Sequence, residues 1–394
     1  MKRVNEKEYQ YVKEVLDNQF VSSKGSMMTQ RLEKLFAEKF DSKYAISFVN
    51  GTQNMHAVLE AVGVGIGDEV IVPPLTMSST TFAVLQCGAT PIFADVCKDT
   101  FLISPESIKE RITERTKAII TVSLYGLMPR MDEIMQIAEE NHLFVLEDNA
   151  ECVMATYKGK LIGSYGHAAS YSFQSSKHLT AGEGGIITTN DAELADKIRK
   201  VSSLGYAGVG ATKGKITKSD IQDPYYFRHV SMGWNYRMAE LCAAVALGQL
   251  ENMEQLVQCR VESARLFLDV IKQCDWLIPQ YVDDNSTHTY WTVVCCLENE
   301  KITWYDFRNK FIEFGGDGVY AAWQLTYLEP MFQRMDLLGR EKYLTVKSYE
   351  KGLCPVAEYL QPRLLQFQTN YWDKEDAVKQ AEILDKTIKF FDKL

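Results

Sequence analysis

The chain has 394 residues, 46% of them hydrophobic and 24% charged, with a formal net charge of −9. That length is too great for one simple core, so two domains are expected in an ordinary globular protein. The acidic balance argues against nucleic acid, which needs a basic face, and no apolar run is long enough to cross a bilayer, so no membrane partner is expected either. The first residues, 1–8, hold no hydrophobic stretch of the signal-peptide kind, and a cytoplasmic location is expected. Nine cysteines are irregularly spaced, with no CxxC pair (Cys87, Cys97, Cys152, Cys242, Cys259, Cys274, Cys295, Cys296 and Cys354). They read as small buried hydrophobes in a reducing compartment, not as disulfides or a metal site.

In chain order, a helix is predicted over 5–18, a polar break at 22–26, and an amphipathic helix over 28–40 with Leu32, Leu35, Phe36 and Phe40 on one face. From Tyr44 short apolar runs alternate with helical patterns. Strands are predicted at 44–49, 69–72, 91–94, 118–122 and 143–146, with helices at 52–62, 78–87, 105–113 and 131–140. Strands without polar alternation, each followed by a helix, imply a parallel sheet covered on both faces. Ligands of such sheets collect at the carboxyl ends of the strands. The first strand ends in Asn50-Gly51-Thr52, where a helix begins; its free amides suit a phosphate, although an ordinary capped helix gives the same signal. The fifth strand ends in Glu147-Asp148, and strand alternation leaves open which acid faces the crevice.

A further strand at 169–173 runs into a polar turn carrying Lys177, then a glycine-rich break, then a strand at 185–189. A lysine presented between two strands suits Schiff-base chemistry with an aldehyde or ketone; a solvated turn lysine fits the same residues. A helix follows at 191–200 and a loop at 205–225. Gly208 to Lys215 has the wrong spacing for a phosphate loop. One long helix, about 239–274, is expected to link a large domain (1–245) to a small C-terminal one (246–394). The latter shows a strand at 289–297, a helix at 304–314, an irregular connection at 354–362 and a terminal helix from about 374.

A phosphate cradle, a strand-end acid and a lysine are the three things pyridoxal 5'-phosphate needs: an anion site, an acid for its ring nitrogen, and an amine for its aldehyde. With the segments 67–74, 88–95, 172–177, 182–185 and 233–238, they make the chain resemble the DegT/DnrJ/EryC1/StrS sugar aminotransferases, of the aspartate aminotransferase fold (fold type I), over nearly its whole length. The resemblance implies an α/β fold: a large domain with a mostly parallel seven-stranded sheet sandwiched by helices, plus a smaller C-terminal α+β domain. It implies that Lys177 forms the internal aldimine and shuttles the proton. Asp148 would pair with the pyridinium nitrogen, and Gly51, Thr52, Gln53 and Ser172 would hold the phosphate. Asn235 would reach the phosphate of a neighbouring subunit in a homodimer with shared active sites.

Three departures from the family pattern stand out. Met77 occupies the position of the usual aromatic over the cofactor ring, with Phe82 or Tyr125 as alternatives for stacking. Glu151 stands where glutamine or histidine is common near the phenolic oxygen, so it is expected to be protonated or turned away. Val319 to Tyr327, including Tyr320 and Trp323, differs from the nucleotide-sugar members and points toward cyclitol or sugar-acid acceptors. The resemblance therefore implies transfer from glutamate or glutamine to a keto sugar, in making an amino sugar for surface polysaccharide, lipopolysaccharide or a natural product. An 8-oxo octulosonate-type sugar acid is the favoured acceptor; a nucleotide-linked 3- or 4-keto-6-deoxy sugar or a keto-inositol is the alternative. His178, Arg237, Tyr320 and Trp323 are the candidate substrate residues, and Arg363 is a further candidate for a carboxylate. A sugar dehydratase would replace the lysine with histidine, and a non-catalytic regulator of the same fold would lose the lysine or the acid; both are present here.

Overall fold

A computed structural model of the chain describes residues 2–20 and 27–393; the break expected at 22–26 lies outside them. In chain order the main elements of the first part are α1 (Glu6–Asp17), α2 (Met28–Lys39), β1 (Tyr44–Phe48), α3 (Gly51–Ala61), β2 (Glu69–Val72), α4 (Ser79–Gln86), β3 (Thr90–Phe93), α5 (Pro105–Arg111), β4 (Thr116–Val122), α6 (Met131–Glu140) and β5 (Phe144–Asp148). There follow a small hairpin of β6 (Thr156–Tyr157) and β7 (Lys160–Leu161), then β8 (Ala168–Ser172), β9 (Gly185–Thr189), α7 (Ala192–Ser202) and α8 (Lys218–Gln222). The remainder comprises α9 (Glu240–Glu251), α10 (Met253–Ile271), β10 (Leu277–Pro279), β11 (Thr292–Leu297), α11 (Trp304–Glu313), β12 (Tyr320–Ala321), α12 (Pro330–Gln333), α13 (Pro355–Leu360), β13 (Leu364–Gln368) and α14 (Lys374–Phe391).

Seven strands form one sheet in the order β1-β9-β8-β5-β4-β2-β3. Six run the same way. Only β9 is reversed, pairing antiparallel with both β1 and β8. The mostly parallel sheet is therefore as the sequence predicts, with one reversed strand that the strand–helix alternation does not reveal. Residues of β2 and β4 pack on both faces, which is why they read as continuous apolar runs. The α2 face is built as expected: Leu32 and Phe36 are buried, and Phe36 stacks on Phe40 with ring centroids 4.2 Å apart. A second, four-stranded antiparallel sheet, β10-β11-β13-β12, forms the core of the C-terminal part with α10, α11 and α14.

Four sequence readings need correction. The single helix expected over 239–274 is two helices, because the backbone at Asn252 leaves helical geometry and caps α9 while opening α10. The loop at 205–225 contains α8, started by a capping box in which Thr217 and Asp220 satisfy each other's amides. The strand expected from 289 begins at Thr292, since Tyr290 has φ of 47° and the preceding residues turn toward Gly126, whose carbonyl accepts from the Thr289 amide at 2.9 Å. The connection at 354–362 holds α13, begun by Pro355 and capped from far away by Asp95, which accepts from the amides of Val356 (2.8 Å) and Ala357 (2.9 Å).

Candidate active site

The site is assembled at the carboxyl ends of the sheet strands. Where β1 passes into α3, Asn50 has extended backbone and its side chain accepts from the Gln53 amide at 2.9 Å. That leaves the first amides of α3, at Gly51 and Thr52, without intrahelical acceptors and facing a cavity of about 610 Å³. Close packing fixes this turn. A Cβ on Gly185 would lie 2.7 Å from the Asn50 carbonyl carbon, and one on Gly51 would lie 3.3 Å from the Ser172 Cβ. Buried Asn54 ties α3 down: its Nδ2 donates to the carbonyls of Tyr171 (3.2 Å) and Ile186 (3.3 Å), and its Oδ1 accepts from the Ser170 hydroxyl (2.7 Å).

At the end of β5 the structure separates the two acids. Glu147 points into the protein and accepts from the amides of Gly163 (2.8 Å), Tyr165 (3.0 Å) and Gly166 (2.6 Å), so it organises the 163–166 loop. Asp148 lines the cavity; its Oδ2 accepts from the Thr80 hydroxyl at 2.8 Å and its Oδ1 from the Ala150 amide at 3.2 Å. Burial raises its pKa above the ordinary carboxylate value, partly opposed by the Thr80 hydrogen bond, the Ala150 amide and the charge of Lys177.

Lys177 reaches the same cavity from the turn after β8. Its Nζ lies 3.0 Å from Glu151 Oε1 and 4.8 Å from the centre of the Trp291 ring. Glu151 is thus neither turned away nor left alone: one oxygen meets the lysine and the other accepts from the Tyr125 amide at 3.2 Å. Ser172, Met77 and Thr76 complete the wall on the sheet side. Tyr320, Trp323, Trp291, Gln366 and Gln368 close the cavity from the C-terminal part. Tyr125 and Phe82 pack in the core and do not line the cavity, whereas Met77 lines it and is half exposed.

Of the residues singled out from sequence, Gly51, Thr52, Met77, Asp148, Glu151, Ser172, Lys177, Tyr320 and Trp323 line this one cavity. Gln53 does not, and its amide, expected to hold the phosphate, is instead taken by the Asn50 side chain. His178 does not line it. Its ring is buried, with Nε2 2.9 Å from the Thr289 carbonyl, and burial holds its pKa well below the usual histidine value. Arg237 lies elsewhere, its guanidinium 5.7 Å from the Tyr206 ring centre, and Asn235 pairs through its backbone with Ser203. Arg363 donates to the Tyr359 carbonyl and stacks on that residue's ring. Sequence reasoning missed Thr80, Trp291 and Arg260; nothing local marks them, since each acquires its partner through the fold.

A family model for the DegT/DnrJ/EryC1/StrS aminotransferase family matches residues 2–379. The chain belongs to that family. It is 38% identical to the GDP-perosamine synthase of Escherichia coli O157:H7 over 288 residues, covering 73% of this chain and 74% of that one. It is 37% identical to the spore coat polysaccharide biosynthesis protein SpsC of Bacillus subtilis (strain 168) over 298 residues, 76% and 75% of the two chains. The solved aminotransferase of Psychrobacter cryohalolentis superposes with a TM-score of 0.86 at 29% identity, over 98% of each chain. The protein is a sugar aminotransferase of this family, and the fold is that of the fold type I enzymes.

Proposed function

We propose that the enzyme moves an amino group from glutamate or glutamine to a nucleotide-linked keto sugar, using pyridoxal 5'-phosphate held in the cavity between Asp148 and Lys177. The observation that carries this reading is the convergence of the α3 N-terminus, a buried strand-end carboxylate and a lysine amine on one cavity. The residues fit the cofactor. The amides of Gly51 and Thr52 and the Ser172 hydroxyl would take its phosphate, aided by the positive end of α3. Asp148, fixed by Thr80 and Ala150, would hold the ring nitrogen protonated. Met77 would pack on the ring through its thioether. When bound, the cofactor supplies an electron sink for the substrate's α-carbon. Lys177 would hold the cofactor through its amine and would be the group placed to move a proton at the substrate carbon, with Glu151 Oε1 3.0 Å from that amine to orient it.

The names of the relatives support a nucleotide-linked acceptor ahead of the sugar acid favoured by the residues at 319–327. Trp291 and Trp323, with ring centres 6.3 Å apart, and the Gln366 and Gln368 amides offer apolar faces and hydrogen bonds suited to a sugar ring. Among the described residues no helix is long and apolar enough to cross a membrane, and we place the reaction in the cytoplasm. We also infer a homodimer in which Asn235 and Arg237 of one copy serve the site of the other, since neither lines the cavity of its own chain.

The test is spectroscopic. Purified protein with added pyridoxal phosphate should turn yellow and bleach with glutamate or glutamine, and a nucleotide-linked keto sugar should restore the colour. Restoration only by an eight-carbon keto sugar acid would move the acceptor to that class; a protein that never colours would end the cofactor reading. Lys177→Ala should lose the yellow absorbance and lower turnover by at least about 10³-fold.

A further inference from the structure

Arg260, in α10, is 2% exposed, and among the described residues no carboxylate lies within ion-pairing distance of it. Arg260 lines the cavity; its Nε–H is buried with no hydrogen-bond partner among those residues, while its two terminal nitrogens donate to oxygens of two kinds. Nη2 donates to the carbonyls of Ser176 (2.9 Å) and Lys177 (3.4 Å), in the turn that bears the lysine. Nη1 donates to the Trp291 carbonyl (2.8 Å) and the Thr369 hydroxyl (3.2 Å). The same turn is held from outside by Arg3, whose Nη1 and Nη2 donate to the carbonyls of Ser175 (2.6 Å) and Lys177 (2.7 Å). The Trp291 indole adds a bond to the Ser176 carbonyl at 3.0 Å. Three successive carbonyls therefore accept from two guanidiniums and an indole, which fixes the peptide planes around the lysine.

Arg260 also holds the other end of that side chain, because the Lys177 amine rests over the ring of Trp291, whose carbonyl Arg260 grips. A buried guanidinium without a carboxylate is costly, and an apolar residue would fill the volume at lower cost. Burial, together with the charge of Arg3, pulls the pKa of Arg260 down to about 9. Lysine could not replace it fully, since one ammonium cannot span four acceptors in a planar fork.

We propose that Arg260, seconded by Arg3, is a positioning residue for Lys177, locking the lysine turn and Trp291 together so that the amine stays aimed between Glu151 and Asp148. What the lysine then does rests on the function proposed above; the positioning does not.

The decisive measurement uses the cofactor-free protein. Hydrogen exchange of the 174–181 segment and modification of Lys177 by trinitrobenzenesulfonate, mapped by mass spectrometry, are followed in the wild type, Arg260→Gln, Arg260→Lys and Arg3→Gln. In Arg260→Gln, exchange in the segment should rise about tenfold, the effect of losing roughly one net hydrogen bond. The rate of Lys177 modification should change while that of surface lysines and exchange in the central strands stay as they were. Arg260→Lys should recover part of this, and Arg3→Gln should show a smaller change of the same kind. In the loaded enzyme the donor half-reaction should slow by about 10²-fold with little change in donor affinity. Wild-type exchange and wild-type Lys177 modification in both Arg260→Gln and Arg3→Gln would overturn the proposal, as would a rise spread evenly over the molecule. Should Arg260→Gln fail to fold, Arg3→Gln, whose side chain lies at the edge of the network, decides alone. A wild type that takes up no pyridoxal phosphate would refute the functional reading and leave the labelling result standing.

Discussion

Asp148 places a carboxyl group, 3% exposed, at the end of β5. Burial raises its pKa, so the native, cofactor-free chain holds that proton to a higher pH than the unfolded chain does. Between the unfolded value, about 4, and the raised native value, the native state binds more protons, and stability falls as pH rises. Asp148→Asn removes this penalty and keeps an acceptor for the Ala150 amide. The cofactor-free variant should therefore melt above the wild type at pH 7, with the gap closing below about pH 4, where both chains are neutral at this position. A thermal melt at the two pH values settles it, and a lower melting temperature for the variant at pH 7 would show that the carboxylate is not strained. The same variant should lose most activity, because an amide cannot hold a ring nitrogen protonated. At this scale the sequence shows that an acid stands at the end of β5 but not which one. The choice comes from the amides of the 163–166 loop, which claim Glu147 from outside its own strand. Arg260 is illegible for a like reason: its acceptor at Ser176 is 84 residues distant in the chain.

Elements meet most tightly where β9 begins. Gly185 pairs with Phe48 on one side and Ser172 on the other, directly beneath the Asn50–Gly51 turn. Gly185→Ala places its Cβ 2.7 Å from the Asn50 carbonyl carbon, a contact that backbone must relieve. Denaturant unfolding should show a loss of about 1–3 kcal/mol, and the affinity for pyridoxal phosphate should fall further than stability alone explains, since the displaced turn carries the free amides. Asn50→Ala removes only the cap and should cost about 1 kcal/mol. An equal affinity in Gly185→Ala and the wild type would separate the α3 start from phosphate binding. The sequence displays this glycine tract as a break, and that is correct for Gly182, whose φ is 79°. It does not display the reversal of β9, since pairing direction is set by where the lysine turn sends the chain. The break at Asn252 is equally silent, as neither glycine nor proline marks it. The start of α13 is half legible: Pro355 announces it, while its cap, Asp95, lies in the other part of the chain.

For the molecule as a whole, one short segment gathers several strongly exposed apolar side chains: Tyr225 is 86% exposed, Phe227 85% and Met232 74%, with Val230 and Trp234 also in it. A solvated loop does not select such residues, and a contiguous apolar patch marks an interface. The same segment leads directly into Asn235 and Arg237, which have no place in their own cavity. Trp234 and Tyr236, on either side of Asn235, are anchored to α3: the Trp234 indole donates to Glu60 at 2.7 Å and the Tyr236 hydroxyl lies 3.1 Å from His56 Nδ1. The arm is thus fixed at its base and bare at its tip, as expected of a surface that a second copy covers. Sedimentation should give a species of twice 44.9 kDa, burying at least about 800 Å² on each copy. Phe227→Glu with Met232→Glu places two charges in that contact and should shift the protein to the single-chain mass. If the arm completes the neighbouring site, the separated chains should keep their fold, by circular dichroism, and lose cofactor affinity in proportion to the fraction dissociated. Wild-type affinity in a fully monomeric variant would remove Asn235 and Arg237 from the site; a variant still dimeric would move the interface to another face.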